Sequence, residues 1–179
     1  MSKREQILQA LFEKLQTLEN IPVKRNETLP QVIPEAGIVM LRDGKQGEPE
    51  IILSPPICIF KHEAEVEVIV QAAKPEDRDR KLDDVLEQLG VLLSSDVTLR
   101  GLTDYVYPKP PEIIDEYIEG APTIKAAVIP VVLEYSTTNI VLRLVLIKKI
   151  YRMFFYKENM YNGYFIRDTN IYSSGGRFC

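Results

Sequence analysis

Histidine occurs once in this chain of 179 residues, cysteine twice and tryptophan not at all. One histidine, His62, cannot build a Cys/His metal site, and neither Cys58 nor Cys179 stands at ligand spacing from it. A serine or cysteine triad would need His62 as its base, and no G-x-S-x-G or comparable nucleophile setting is present. His62 is therefore expected to be a solvent-facing or hydrogen-bonded strand residue. Two cysteines give no disulfide framework; with Cys58 in an apolar run and Cys179 last in the sequence, a reducing compartment is the simpler expectation. Only 9 glycines occur, and no G-x-G-x-x-G follows a strand-like segment. Gly44-Lys45 fails as a phosphate loop, because Val39 and Gln46 stand where glycine and Ser or Thr are required. Catalytic residues, cofactor-binding residues and metal ligands are accordingly expected to be none, and the chain is expected not to be an enzyme.

Long apolar runs are also scarce. The N-terminal stretch carries Glu13 inside an amphipathic pattern, so no signal peptide is expected. Ile140 to Tyr156 is the best membrane candidate, but Arg143, Lys148, Lys149 and Arg152 interrupt the roughly 20 apolar residues that a spanning helix needs. No membrane partner is expected, with a basic interfacial helix as the alternative.

What is present divides in two near Asn139. Residues 1–139 hold 15 Lys+Arg against 24 Asp+Glu, a net of −9, whereas the last 40 hold 7 against 2, a net of +5. Those 40 also carry 9 of the 15 aromatic residues, so the chain is divided into a domain over 1–139 and an appended basic, aromatic-rich segment over 140–179. The overall charge of −4 argues against a whole-surface nucleic-acid binder.

Along the first part, Ser2 followed by Glu5 is a capping-box pattern. Ile7, Leu8, Leu11, Phe12, Leu15 and Leu18 then recur at helical spacing, giving a helix that ends before Pro22. Gly37 to Leu41 reads as a buried strand. Asp43-Gly44 and Gly47 mark a hairpin loop before a strand at Glu50 to Leu53, which Pro55-Pro56 ends. From Ile57 to Gln71, Ala64, Val66, Val68 and Val70 alternate with Glu63, Glu65, Glu67 and Ile69, the strongest strand signal in the chain. Lys74-Pro75-Glu76-Asp77 opens a second helix with Leu82, Val85, Leu86, Leu89, Leu92 and Leu93 as its apolar stripe. A proline-rich loop follows, then an irregular strand over Glu112 to Glu119. The last strand, Ile124 to Tyr135, contains Pro130, so it is either an edge or paired on one side there. The fold class is α+β: a mostly antiparallel sheet of four to five strands with two helices packed on one face.

Two clusters are candidate sites. Glu63, Glu65 and Glu67 share one strand face, about 7 Å apart in steps of two residues. A hard cation would want further carboxylates there, so a solvated acidic face is the simpler assignment. Lys148, Lys149 and Arg152, interleaved with Tyr151, Phe154, Phe155 and Tyr156, have the composition of a single-strand stacking surface, although such a tail is also an aggregation liability.

Residues 1–138 resemble the tail terminator (minor tail, or tail completion) proteins of long-tailed bacteriophages and prophages. The likeness rests on Arg4-Glu-Gln-Ile-Leu-Gln-Ala-Leu-Phe-Glu-Lys-Leu15, on Glu63-Ala-Glu-Val-Glu-Val-Ile-Val70, on Lys125-Ala-Ala-Val-Ile-Pro-Val-Val-Leu-Glu-Tyr135, and on the helix, sheet, helix, sheet order. It implies a non-enzymatic assembly protein that forms a ring, commonly hexameric, caps the tail tube and faces the head–tail connector. Its partners would be further copies of itself, the tail tube protein and the connector protein, with DNA passing through transiently without specific binding. Its places would be the bacterial host cytoplasm during assembly and then the virion tail. Glu63, Glu65 and Glu67 would face the channel and let DNA slide. The stretch 140–179 departs from the family pattern and resembles translation through a frameshift or a lost stop codon in a decaying prophage. Two alternatives stand beside this one. A small enzyme of acyl-CoA transferase type would need a carboxylate nucleophile in a glycine-rich pocket, and no such motif is found. A small adaptor would use the basic C-terminal segment.

Overall fold

The chain divides into two units, Met1–Thr138 and Asn139–Cys179. The computed structural model describes residues 1–28, 32–116 and 124–138, all within the first unit. The basic cluster expected around Lys148 to Tyr156 lies outside these described residues.

The first helix, α1, is Lys3–Leu15. Ser2 caps it, its hydroxyl accepting from the Glu5 N–H at 3.2 Å. The return half of the capping box is missing because the Glu5 carboxylate is held by Arg25 instead. Ile7, Leu8, Leu11 and Leu15 form the buried stripe. The second helix, α2, is Pro75–Ser95, with Pro75 in its first turn beside Glu76 and Asp77. Leu82, Val85, Leu89 and Leu93 face inward. Lys14 joins the helices: its ammonium donates to the carbonyls of Leu93 at 3.4 Å and Asp96 at 2.7 Å, where the helix dipole favours a cation. Beyond α2 the chain bends through Leu99 and Arg100, both with positive φ. Asp96 holds that turn by accepting from the N–H groups of Thr98 and Arg100 and from the Thr98 hydroxyl, bonds that lower its pKa to about 2.

The strands are β1 (Val23–Arg25), β2 (Ile38–Lys45), β3 (Glu50–Leu53), β4 (Pro56–Gln71), β5 (Tyr105–Pro108), β6 (Glu112–Glu116) and β7 (Ile124–Thr137). β4 and β7 form the antiparallel spine, paired from Cys58 opposite Thr137 to Gln71 opposite Ile124. On the far side of β4 lie β3, against its first residues, and β2, against its later ones. On the far side of β7 lie β6 and β5. β1 adds to β2 in parallel.

The α+β class stands, but the sheet is larger than expected and mixed: among the described residues it has seven strands rather than four to five. β1 has three residues, too few to display a two-residue period, and β5 lies in the stretch taken for a proline-rich loop. Asp43-Gly44 is also not a hairpin loop. It forms a bulge inside β2, between Arg42 opposite Glu65 and Lys45 opposite Glu63. Gly44 has φ +63°, and a Cβ there would stand 1.9 Å from the Glu63 carbonyl oxygen. Only glycine fits so close a backbone approach.

Both helices lie against one sheet face. Arg25, in register with Leu41 and through it with Val66, reaches Glu5 of α1. Lys125, in register with Val70, reaches Asp79 of α2 at 2.9 Å. The covered face carries Ala64, Val66, Val68, Val70, Val131, Leu133 and Tyr135, all buried. Pro130 falls between the stretches of β7 paired to β6 and to β5. Its carbonyl accepts from the Lys109 N–H at 2.7 Å, so its proton-less nitrogen faces that same side and costs the β4–β7 ladder nothing.

Candidate functional site

Three parts of this framework gather polar or exposed groups. The first is the open sheet face, opposite the helices. Glu63, Glu65 and Glu67 lie on it, as their alternation requires, but not as a bare acidic stripe. Glu63 pairs with Lys109, and Glu67 pairs with Arg42 at 3.0 Å. Lys61 and Glu134 pair at 2.9 Å on the same face. Glu65 is exposed, and among the described residues no ion pair involves it. The face is thus a nearly neutral mosaic. Lys109 is held by its bond to Pro130, and Arg42 by the strand just before the bulge; neither was singled out from the sequence.

The second lies under the N-terminal end of α1. Arg25 donates to Glu5 at 2.8 and 3.0 Å and to Asp43 at 2.9 and 3.0 Å, bridging helix, β1 and β2 with one planar guanidinium. Arg4 stands 3.6 Å from Asp43. The bonds from Arg25 hold the Glu5 carboxyl below its usual range. For Asp43, burial pushes the pKa up, but the bonds from Arg25 and Asn26 prevail and lower it. The bulge aims the Asp43 carbonyl at Nε2 of His62, which is fully buried, so the alternative of a solvent-facing histidine is overturned. Nδ1 of His62 has no partner among the described residues. Burial pushes the His62 pKa down, so the ring is neutral with its proton on Nε2. Beside it Tyr135 stacks on Phe60 with centroids 5.4 Å apart and takes a hydrogen bond from Gln46 at 2.9 Å. A ring this enclosed is a structural hydrogen-bond donor and does not meet a substrate. Cys58 is buried as a free thiol, in keeping with its apolar run.

The third part is a pair of sheet edges. β3 exposes Ile52 (44%) and Leu53 (69%), and β6 exposes Ile113 (56%) and Ile114 (44%). β3 borders the start of β4, whereas β6 borders the part of β7 that pairs with the end of β4. The two apolar edges therefore occupy diagonally opposite corners of the sheet.

Among the described residues no group of three or more His, Cys, Asp or Glu side chains is placed to hold a metal ion, and no helix is long and apolar enough to cross a membrane. Comparison with protein-family models and with curated proteins gives no match.

Proposed function

We propose that this chain is a non-enzymatic structural protein of a phage or prophage tail, of the tail terminator type. It assembles into a closed ring of about six copies, caps the tail tube and meets the head–tail connector. The observation that supports this best is the pair of apolar edges, β3 and β6, at opposite corners of one sheet. Two different patches on one molecule suit a head-to-tail contact, in which each copy offers one edge to the other edge of its neighbour. Such heterologous contacts close into rings when the rotation between copies is right. Among the described residues one edge of each of these strands is unpaired and can supply backbone donors and acceptors, and the isoleucines and leucine supply burial. The tube and connector are proposed as partners on the layout likeness of residues 1–138 to terminators. Host cytoplasm during assembly and the virion tail afterwards are the locations that follow.

The open face has a smaller part than its glutamates alone would imply. With Glu63 and Glu67 paired to cations, a channel lined by this face would repel DNA phosphates mainly through Glu65. Reversing the charge of Glu63, Glu65 and Glu67 together should slow DNA passage if the face lines the channel; unchanged infectivity would remove that role.

Light scattering of the full chain, with and without purified tail tube protein, tests the assembly. The expected result is a ring in solution or one that forms on tube ends, and its loss in the Ile113→Lys, Ile114→Lys double variant. A chain that stays monomeric and ignores tube protein would overturn the proposal.

A further inference from the structure

A groove runs along α2 on the helical side of the molecule, away from the sheet edges. Its second wall is the chain that leaves α1: Thr17, Leu18 and Glu19. The cleft measures about 580 Å³ and continues past Glu19, Asp84 and Gln88 into a smaller one of about 360 Å³. Its floor is apolar. Leu18 and Leu92 are half-buried in it, and Val91 stands 69% exposed beside them. A single exposed valine is ordinary. Val91 differs in standing with two half-buried leucines in a shallow cleft, on the solvent side of a helix where a β-branched residue does nothing for helix stability.

The rim is acidic. Glu19, Asp84 and Glu87 are all exposed, and among the described residues none of them forms an ion pair. Glu63 and Glu67 on the open sheet face, by contrast, each have a cation. Lys81, at the far end of the smaller cleft, donates to the Glu35 carbonyl at 2.9 Å. Among the described residues the groove thus combines apolar surface without a cover with negative charge without a counter-charge.

The walls also restrict what covers it. The α2 backbone is bonded within the helix, and near its end Lys14 takes the Leu93 carbonyl and the Ser95 hydroxyl takes that of Leu92. No strand ladder is on offer, so an extended segment laid here would leave its own N–H and C=O groups unpaired. A helix satisfies its own backbone and presents only side chains. From Asp84 to Ser95 the wall is about 16 Å long at about 1.5 Å per residue, which matches a partner helix of about three turns.

We propose that this groove is the docking site for a basic amphipathic helix of a partner protein, its apolar stripe on Leu18, Val91 and Leu92 and its Lys or Arg residues against Glu19, Asp84 and Glu87. The inference stands apart from the ring assembly, since it uses neither sheet edge.

A fluorescein-labelled amphipathic peptide of leucine and lysine, long enough for about three helical turns, is the probe, titrated into the full chain and read by anisotropy. The Asp84→Lys, Glu87→Lys double variant alters two exposed positions, and circular dichroism checks its fold. The Glu48→Lys, Glu65→Lys variant makes the same change of net charge elsewhere. Saturable binding is expected for the unmodified chain, weakened at least about tenfold in the groove variant and less than about twofold in the control. Val91→Ser should weaken it as well, and the peptide with glutamate in place of lysine should not bind. Absence of saturable binding overturns the proposal, as does a loss in the control variant equal to or greater than that in the groove variant.

Discussion

The two faces of β4 are built from alternate residues of one strand, yet they meet different surroundings. His62, Ala64, Val66, Val68 and Val70 lie fully buried beneath the helices, whereas Lys61, Glu63, Glu65 and Glu67 look outward among cations and other carboxylates. A slip of one residue would exchange the two sets, so the covered face fixes the register of the whole sheet. The open face buries fewer side chains, Val132 opposite Glu63 and Met40 opposite Glu67 among them. The most severe way to break this asymmetry is Val66→Glu, which places an unpaired carboxylate under the helices and should cost more than about 3 kcal/mol. The neighbouring change Glu65→Val should move stability by less than about 0.5 kcal/mol. Urea unfolding of the two variants side by side measures the difference; equal losses would mean that the open face is buried against something else.

The open face is not uniform, and its exception sharpens the comparison. At the end of β4, Ile69 follows the three glutamates in the outward series but is buried. Ile33, Ile38 and Met40 pack around it, with Ile124 and Ala126 half-buried against the cluster. The chain before β2 therefore folds back over one end of this face. Ile69→Ala should cost about 2 kcal/mol, the low end of the range for emptying a core isoleucine, because the cover is thinner than a helix. A loss below about 0.5 kcal/mol in the same unfolding experiment would mean that this cover contributes nothing.

The long periodic segments were legible in the sequence for a physical reason. α1, α2, β4 and β7 each repeat their apolar period often enough to be distinctive, and the N-cap at Ser2 announces itself by residue type. β1 and β5 have three and four residues, so no period is visible, and their place in the sheet depends on β2 and β7. Asp43-Gly44 was ambiguous because a positive φ serves a bulge as readily as a hairpin. The alternation placed the glutamates on the open face, but their partners were beyond its reach: Arg42 is 25 residues from Glu67 and Lys109 is 46 from Glu63. The Arg25 bridge was hidden for the same reason, since it joins a helix and two strands around one side chain in a three-residue strand.

That bridge and the histidine below it gather titrating groups at one end of the covered face, with the Lys125–Asp79 pair at the other. His62 is kept neutral by burial, so the unfolded chain takes up a proton near pH 6.5 while the folded chain does so only at lower pH. Stability is therefore full above that pH and declines as the pH falls through it. Glu5 and Asp43, whose folded pKa values lie below 4.5 and 3.8, add a second decline at lower pH, as their carboxylates are protonated and the bonds to Arg25 are lost. Arg25→Met should cost about 1–2 kcal/mol at neutral pH. It should also lessen the lower-pH decline, leaving the part due to Asp96 and Asp79 and the earlier decline due to His62 in place. Unfolding free energies at pH 7.5, 5.5 and 3.5 (about one to each regime) distinguish the two, and a wild-type chain equally stable at all three would contradict both assignments.

The ion pairs of the open face make the opposite case. Lys109 and Glu63 are both well exposed, so the bond between them competes with water and is screened by salt. Lys109→Ala should leave stability nearly unchanged, and raising the salt concentration should reduce even that small effect. Its backbone N–H still bonds Pro130 after the substitution, so β5 keeps its position and the measured change isolates the side chain. What the substitution does alter is the character of the face, because Glu63 then joins Glu65 as an uncompensated charge. If this face meets a partner or passing DNA, Lys109→Ala should change that encounter and its salt dependence far more than it changes folding. A stability loss as large as that of Ile69→Ala would instead show that the two faces of β4 are less different than their residues suggest.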